Sequence, residues 1–121
     1  MASTTITKRG RNKLLKARAG IAPLPAVTQM AFGNGADGNP PSEDDNTLKH
    51  ELLRKNIARV DQISETNFRY VCILGKEDLV NTTINEIALC DAEGDLVAIR
   101  NAANKDKDDD EEMSFEIDDK F

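Results

Sequence analysis

Few side chains in this 121-residue sequence could carry chemistry, and their spacing argues against catalysis. The single histidine, His50, stands alone, and Cys72 and Cys90 lie too far from it in the chain to suggest a zinc set. Both cysteines fall in β-prone runs, where a free thiol behaves as a small core hydrophobe. Gly33-x-Gly35-x-x-Gly38 has the outward form of a dinucleotide fingerprint after a predicted strand. That fingerprint needs a helix opening at the glycines to aim its N–H groups at a pyrophosphate, and here Pro40 and Pro41 follow instead. The acidic run Asp106, Asp108, Asp109, Asp110, Glu111, Glu112 lacks the alternating ligands and turn glycine of a calcium loop. Glu86 is different. Alternation sets it among apolar residues, and a buried charge must be paired, so a structural acid held by an arginine or a backbone N–H is expected rather than a catalytic one. No cofactor, metal or small-molecule substrate is expected.

The element that positions Glu86 reads as a β-hairpin over 84–100. Two β-prone runs flank the turn cluster Asp91 to Asp95, with Gly94 as the turn glycine. Strict alternation puts Ile87 and Leu89 on one face and Ile84, Ala88 and Cys90 on the other; Leu96 and Ala98 alternate with Val97 and Ile99. Both faces are apolar, so both need cover. Upstream, the stripe Gly10, Leu14, Ala17, Ile21 predicts a helix over Thr4 to Gly20, with Thr5 or Thr7 as N-cap and Gly20 as terminator. Val27 to Phe32 reads as a strand, and 33–46 as a loop in which Gly33 and Gly35 are structural. Leu48, Leu52 and Leu53 suggest a short helix over Thr47 to Leu53, followed by an extended stretch at 56–63. Phe68 to Leu74 alternates as a strand, 75–82 connects, 101–112 is an acidic loop, and 113–118 is a final strand. The expected fold is one α+β domain over 1–121. In it the N-terminal helix packs on an antiparallel sheet containing 68–74, 84–90, 96–100 and 113–118, and Leu14, Ile87, Leu89 and Val97 are largely buried.

Charge narrows the partners. The net charge of −6 argues against nucleic acid, and no apolar run is long enough for a transmembrane helix. The charge is also segregated: Lys8, Arg9, Arg11, Lys13, Lys16 and Arg18 precede Gly20 with no acid among them, whereas the last 21 residues carry nine acids and three lysines. Such asymmetry suggests assembly. Arg11, Lys16 and Arg18 of one copy are candidates to meet Asp108, Asp109 and Asp110 of the next in a ring or trimer, with the second apolar hairpin face holding the contact.

Four patches in order resemble one family. Thr7–Leu15 (TKRGRNKLL) resembles the T-x-x-G-x-x-x-L-L/A opening of phage tail-collar fibre proteins, and Met30–Gly35 (MAFGNG) their I-A-V-G-D-G strand and turn. Leu48–Ile57 is similar to their L-x-N-E-L-Y-R-x-x-I, and Ile84–Ala98 to I-R-E-I-G-L-F-D-x-D-G-x-L-x-A, with Asn85 in place of the arginine and Ala88 in place of the glycine. The likeness spans about residues 5–100. It implies a virion structural protein of a tailed phage or prophage-derived particle, made in a bacterial host cytoplasm. Such a protein would sit at the baseplate, tail tip or fibre attachment point and contact other tail proteins. No collagen-like or β-helical shaft follows in the sequence, so an adaptor is expected rather than an adhesive fibre. The alternative expectation is a small acidic regulator that masks a basic partner.

Overall fold

A computed structural model describes residues 4–121; residues 1–3 of the expected 1–121 unit lie outside the described residues. The order is β1 (Thr4–Ile6), α1 (Lys8–Arg18), β2 (Val27–Gly33), β3 (Glu51–Asn56), β4 (Arg59–Ser64), β5 (Asn67–Leu74), β6 (Thr82–Asp91), β7 (Leu96–Lys107) and β8 (Met113–Lys120). The strands form a five-stranded sheet ordered β1-β7-β6-β2-β3 and a three-stranded sheet ordered β4-β5-β8. Every pairing is antiparallel.

The α+β expectation is therefore corrected. The fold is mostly β, and 68–74 and 113–118 belong to a second sheet rather than to the sheet of the hairpin. The layer on the inner face of the hairpin is that second sheet, not a helix. Met30, Phe32, Ile84, Ile87, Leu89 and Ala98 from one sheet meet Cys72, Leu74, Phe115 and Ile117 from the other. Phe32 and Phe115 pack edge to face with centroids 5.1 Å apart, a geometry that aligns one ring's positive edge with the other's negative face. The helix has eleven residues and none is fully buried. It is an appendage to β7, and Leu14 and Val97, expected in the core, are only half-buried. Ile87 and Leu89 are buried.

Local chemistry sets where α1 starts and stops. Thr4–Ile6 pairs with β7, so the helix begins at Lys8 rather than Thr4. Thr7 is the N-cap: its Oγ1 accepts from Gly10 N at 3.0 Å and donates to Leu96 O at 2.8 Å, pinning the helix start to the sheet. Gly10 passes so close to Val97 that a Cβ there would lie 2.7 Å from the Val97 carbonyl oxygen.

Two further expectations fail for tertiary reasons. Residues 47–53 do not form a helix. Leu53 pairs with Phe32 on the inner side, while Leu48 turns to the outer face, so the sheet divides a set of leucines spaced for one helical face. The expected acidic loop is shorter than 101–112, because β7 continues to Lys107 along β6 through Thr82↔Lys107, Thr83↔Asp106 and Ile84↔Lys105. Ladder hydrogen bonds carry this polar stretch even though the side chains of residues 103–106 face water. Breaks in register at Ile84/Glu86 and Leu89/Cys90 also overturn strict alternation. Ile84 joins Ile87 and Leu89 on the inner face, and Leu96 joins Ile99 on the outer.

The outer face of the five-stranded sheet is covered within the same chain. Residues 34–50 lie over it, with Leu48 against Ala31, Ala88, Cys90, Leu96 and Ile99. The expectation that a second subunit must cover one hairpin face is thus corrected: both faces already have cover.

Candidate functional site

Glu86 holds that loop in place. It is 2% exposed, and its two oxygens accept three backbone N–H groups: Gly35 at 2.8 Å and His50 at 2.9 Å on Oε2, Lys49 at 2.9 Å on Oε1. Beside it, Asn85 Oδ1 accepts from Ala36 N at 3.1 Å. The structure brings Gly33 and Gly35 to Glu86. A Cβ on Gly33 would sit 2.4 Å from His50 O and 2.7 Å from Glu86 Oε2, and one on Gly35 would sit 2.7 Å from His50 N. The glycines make room for crossing backbones, which is a steric role and not a phosphate cradle.

A second polar cluster lies at the β6–β7 turn. Gly94 adopts φ 88°, as the tight turn requires. Asp91 Oδ1 accepts from Glu93 N and Asp95 N. The Lys13 ammonium of α1 sits among Asp91 at 2.6 Å, Asp95 at 2.7 Å and Glu93 at 2.9 Å. Burial works against that ammonium, but the hydrogen bonds it donates to the three carboxylates outweigh it and hold Lys13 above the usual lysine range. Lys13 also holds Asp95 below the usual carboxylate range. The three acids bracket a cation, and the cation is the chain's own lysine, which clamps α1 to the hairpin turn. The spacing Asp91-x-Glu93-x-Asp95 around Gly94 was the legible signal for this cluster; Lys13, 78 residues away from Asp91, was not.

The residues proposed for assembly separate into two sets. Arg11 is engaged by Glu43 at 2.6 Å. No ion pair joins Lys16 or Arg18 to a described residue. Asp108, Asp109 and Asp110 are exposed in the β7–β8 turn. Leu96 begins β7 beside α1 and Lys107 ends it at the acidic turn. Twelve residues at about 3.3 Å each put basic helix and acidic turn at opposite poles of the molecule. Within one chain they are not brought together. Lys107, expected in a solvated loop, is fully buried and donates to Lys76 O at 3.2 Å and Asp108 O at 3.0 Å, so the acidic turn leaves a fixed base.

At the pole of α1 lies an apolar groove of about 370 Å³. Leu14 of α1, Leu24 to Val27, Tyr70 of β5, and Asp119 and Phe121 around the end of β8 line it. Desolvation raises the Asp119 carboxyl above its usual range, with no hydrogen bond to counter it among the described residues. The two thiols are buried, Cys72 inward and Cys90 outward, and burial pushes each up to about 11. Neither is a ready nucleophile.

No curated protein and no solved structure matches the chain. The family model for the phage tail-collar fibre protein, N-terminal, matches residues 1–116. That match takes in the capped helix, the Gly33–Gly35 crossing, the Glu86 cradle and the hairpin turn, which together make up the frame described above. This chain belongs to the phage tail-collar fibre protein family, matching its N-terminal region, and has the structural role in a phage tail that membership carries.

Proposed function

We propose that the domain is a non-catalytic attachment module of the virion tail, seated at the baseplate, the tail tip or the point where a fibre joins it. The match to the family's N-terminal region over residues 1–116 is the observation that carries this reading, and it favours a tail role over an acidic regulator. The geometry supports it. The polar groups with the most convergent partners, Glu86 and Lys13, are spent on holding a loop and a helix to a sheet. The surface is polarised, with the acidic turn Asp108, Asp109, Asp110 at one pole and Lys16 and Arg18 at the other, and opposite patches orient partners more than they bind them. The module would contact other tail proteins through its acidic turn and associate with copies of itself at the basic pole, as a ring or trimer.

Deleting the gene from its phage or prophage tests the reading. Expected are particles with defective tails or lost attachment, restored by the wild-type gene in trans. A complementing copy with Asp108, Asp109 and Asp110 changed to lysine should be incorporated less well. Normal particles and full infectivity after deletion would refute the assignment.

A further inference from the structure

We infer that the groove between α1 and the end of β8 is a docking site for a second copy of this chain, which places the basic end of its own α1 against Asp119. The inference rests on the self-association proposed above and names its contact.

Two complementary surfaces lie at this pole. The first is the groove, whose walls are apolar and whose one carboxylate without a described partner is Asp119. Lys13 and Asp91 also line it, but they neutralise each other. A carboxylate half-removed from water with no donor is mildly unfavourable, and a cation delivered with apolar surface would relieve it. The second is the end of α1. Leu15 is 58% exposed and Ile21 72% exposed, and between them Lys16 and Arg18 make no described ion pair. Leu24, 51% exposed, belongs both to the groove and to the adjoining hollow that Lys16 borders. Apolar surface carrying an unmatched acid and apolar surface carrying unmatched bases thus sit side by side. A second copy satisfies both at once, and such a contact closes as a two-fold or as a ring. Arg18 suits the Asp119 partnership because a guanidinium can bond both carboxylate oxygens. The acidic turn offers Arg18 charge but no apolar surface to hold the contact.

The test is mass by light scattering and sedimentation of the purified chain across a concentration series, with thermal unfolding to confirm that each variant folds. Wild type is expected to form a closed oligomer. Asp119→Lys and Arg18→Glu, each alone, should weaken association by about tenfold or more, and the two together should restore it. A wild type that stays monomeric would overturn the inference, and so would association indifferent to both single variants or not restored by the pair. None of those failures would remove the tail assignment, which is read from particles rather than from purified protein.

Discussion

Glu86 and Asp119 are both carboxylates on apolar faces of strands, and the chain treats them in opposite ways. Glu86 is sealed under residues 34–50 and receives three backbone N–H groups. Asp119 lies in an open groove with none described. The first acid is offset by hydrogen bonds that also tie down the loop covering one face of the hairpin. The second carries its desolvation uncompensated within one chain. The contrast separates a polar group that completes the fold from one that the fold leaves open to a partner.

Removing Glu86 should have the largest effect. Glu86→Ala strands three N–H groups at a buried crossing, and breaking such a site costs about 3–5 kcal/mol. Denaturant unfolding measures the loss. The thiols say where it falls, because Cys90 lies on the outer face with Leu48 while Cys72 lies between the sheets. Under native conditions Glu86→Ala should speed labelling of Cys90 and leave Cys72 slow. Equal acceleration of both would mean that Glu86 supports the whole sandwich rather than the loop.

Leu89→Ala is the matched perturbation on the inner face. Leu89 is fully buried in the inter-sheet core, so truncation should cost about 2–5 kcal/mol in the same unfolding experiment. It should expose Cys72 at least as much as Cys90, the reverse of the Glu86 pattern. A loss below about 0.5 kcal/mol would place Leu89 at a surface.

The two acids were also unequally legible in the sequence. Glu86 stood out because its neighbours are apolar and a charge among them needs a partner. Its partners did not stand out, since Gly35, Lys49 and His50 converge only when a loop 36 to 51 residues away in sequence crosses the strand. Asp119 fell outside the predicted strand 113–118. Extending that strand's period of two would have set it with Phe115 and Ile117, and β8 does run to Lys120. The hairpin, the Thr7 cap and the strand at 68–74 were readable from local pattern and turn chemistry. The second sheet was not, because alternation tells which residues share a face and never which strand lies beside which. The helix expected at 47–53 failed for a related reason: Leu48 is buried and Leu53 partly buried, but on opposite faces of one sheet. The register breaks opposite Ile84/Glu86 and Leu89/Cys90 put two extra residues and one extra residue into β7, which no periodic rule anticipates.

The smallest expected effect is the most discriminating. Most carboxylates with shifted titration here are depressed by a cation: Asp78 by Lys55, Asp95 by Lys13, Asp118 by Arg69. Each adds stability that is present above its unfolded value near 3.8 and lost as pH falls through its lower folded value. Asp119 has the opposite sign. Its folded value is raised, so the folded chain binds its proton more readily than the unfolded chain does. Relative to Asp119→Asn, the wild-type monomer should be slightly less stable near neutrality, by well under about 1 kcal/mol once solvent screening is allowed for. The deficit should shrink as pH falls through the raised folded value towards 3.8. Dilute protein in 1 M salt, where the Debye length is about 3 Å, is the condition for that measurement. At high concentration and low salt, Arg18 of a second copy beside Asp119 would favour the charged form, and the sign should invert: Asp119→Asn becomes the less stable protein near neutrality, and acid costs the wild type more than the variant. A difference of the same sign under both conditions would mean that no cation reaches the groove.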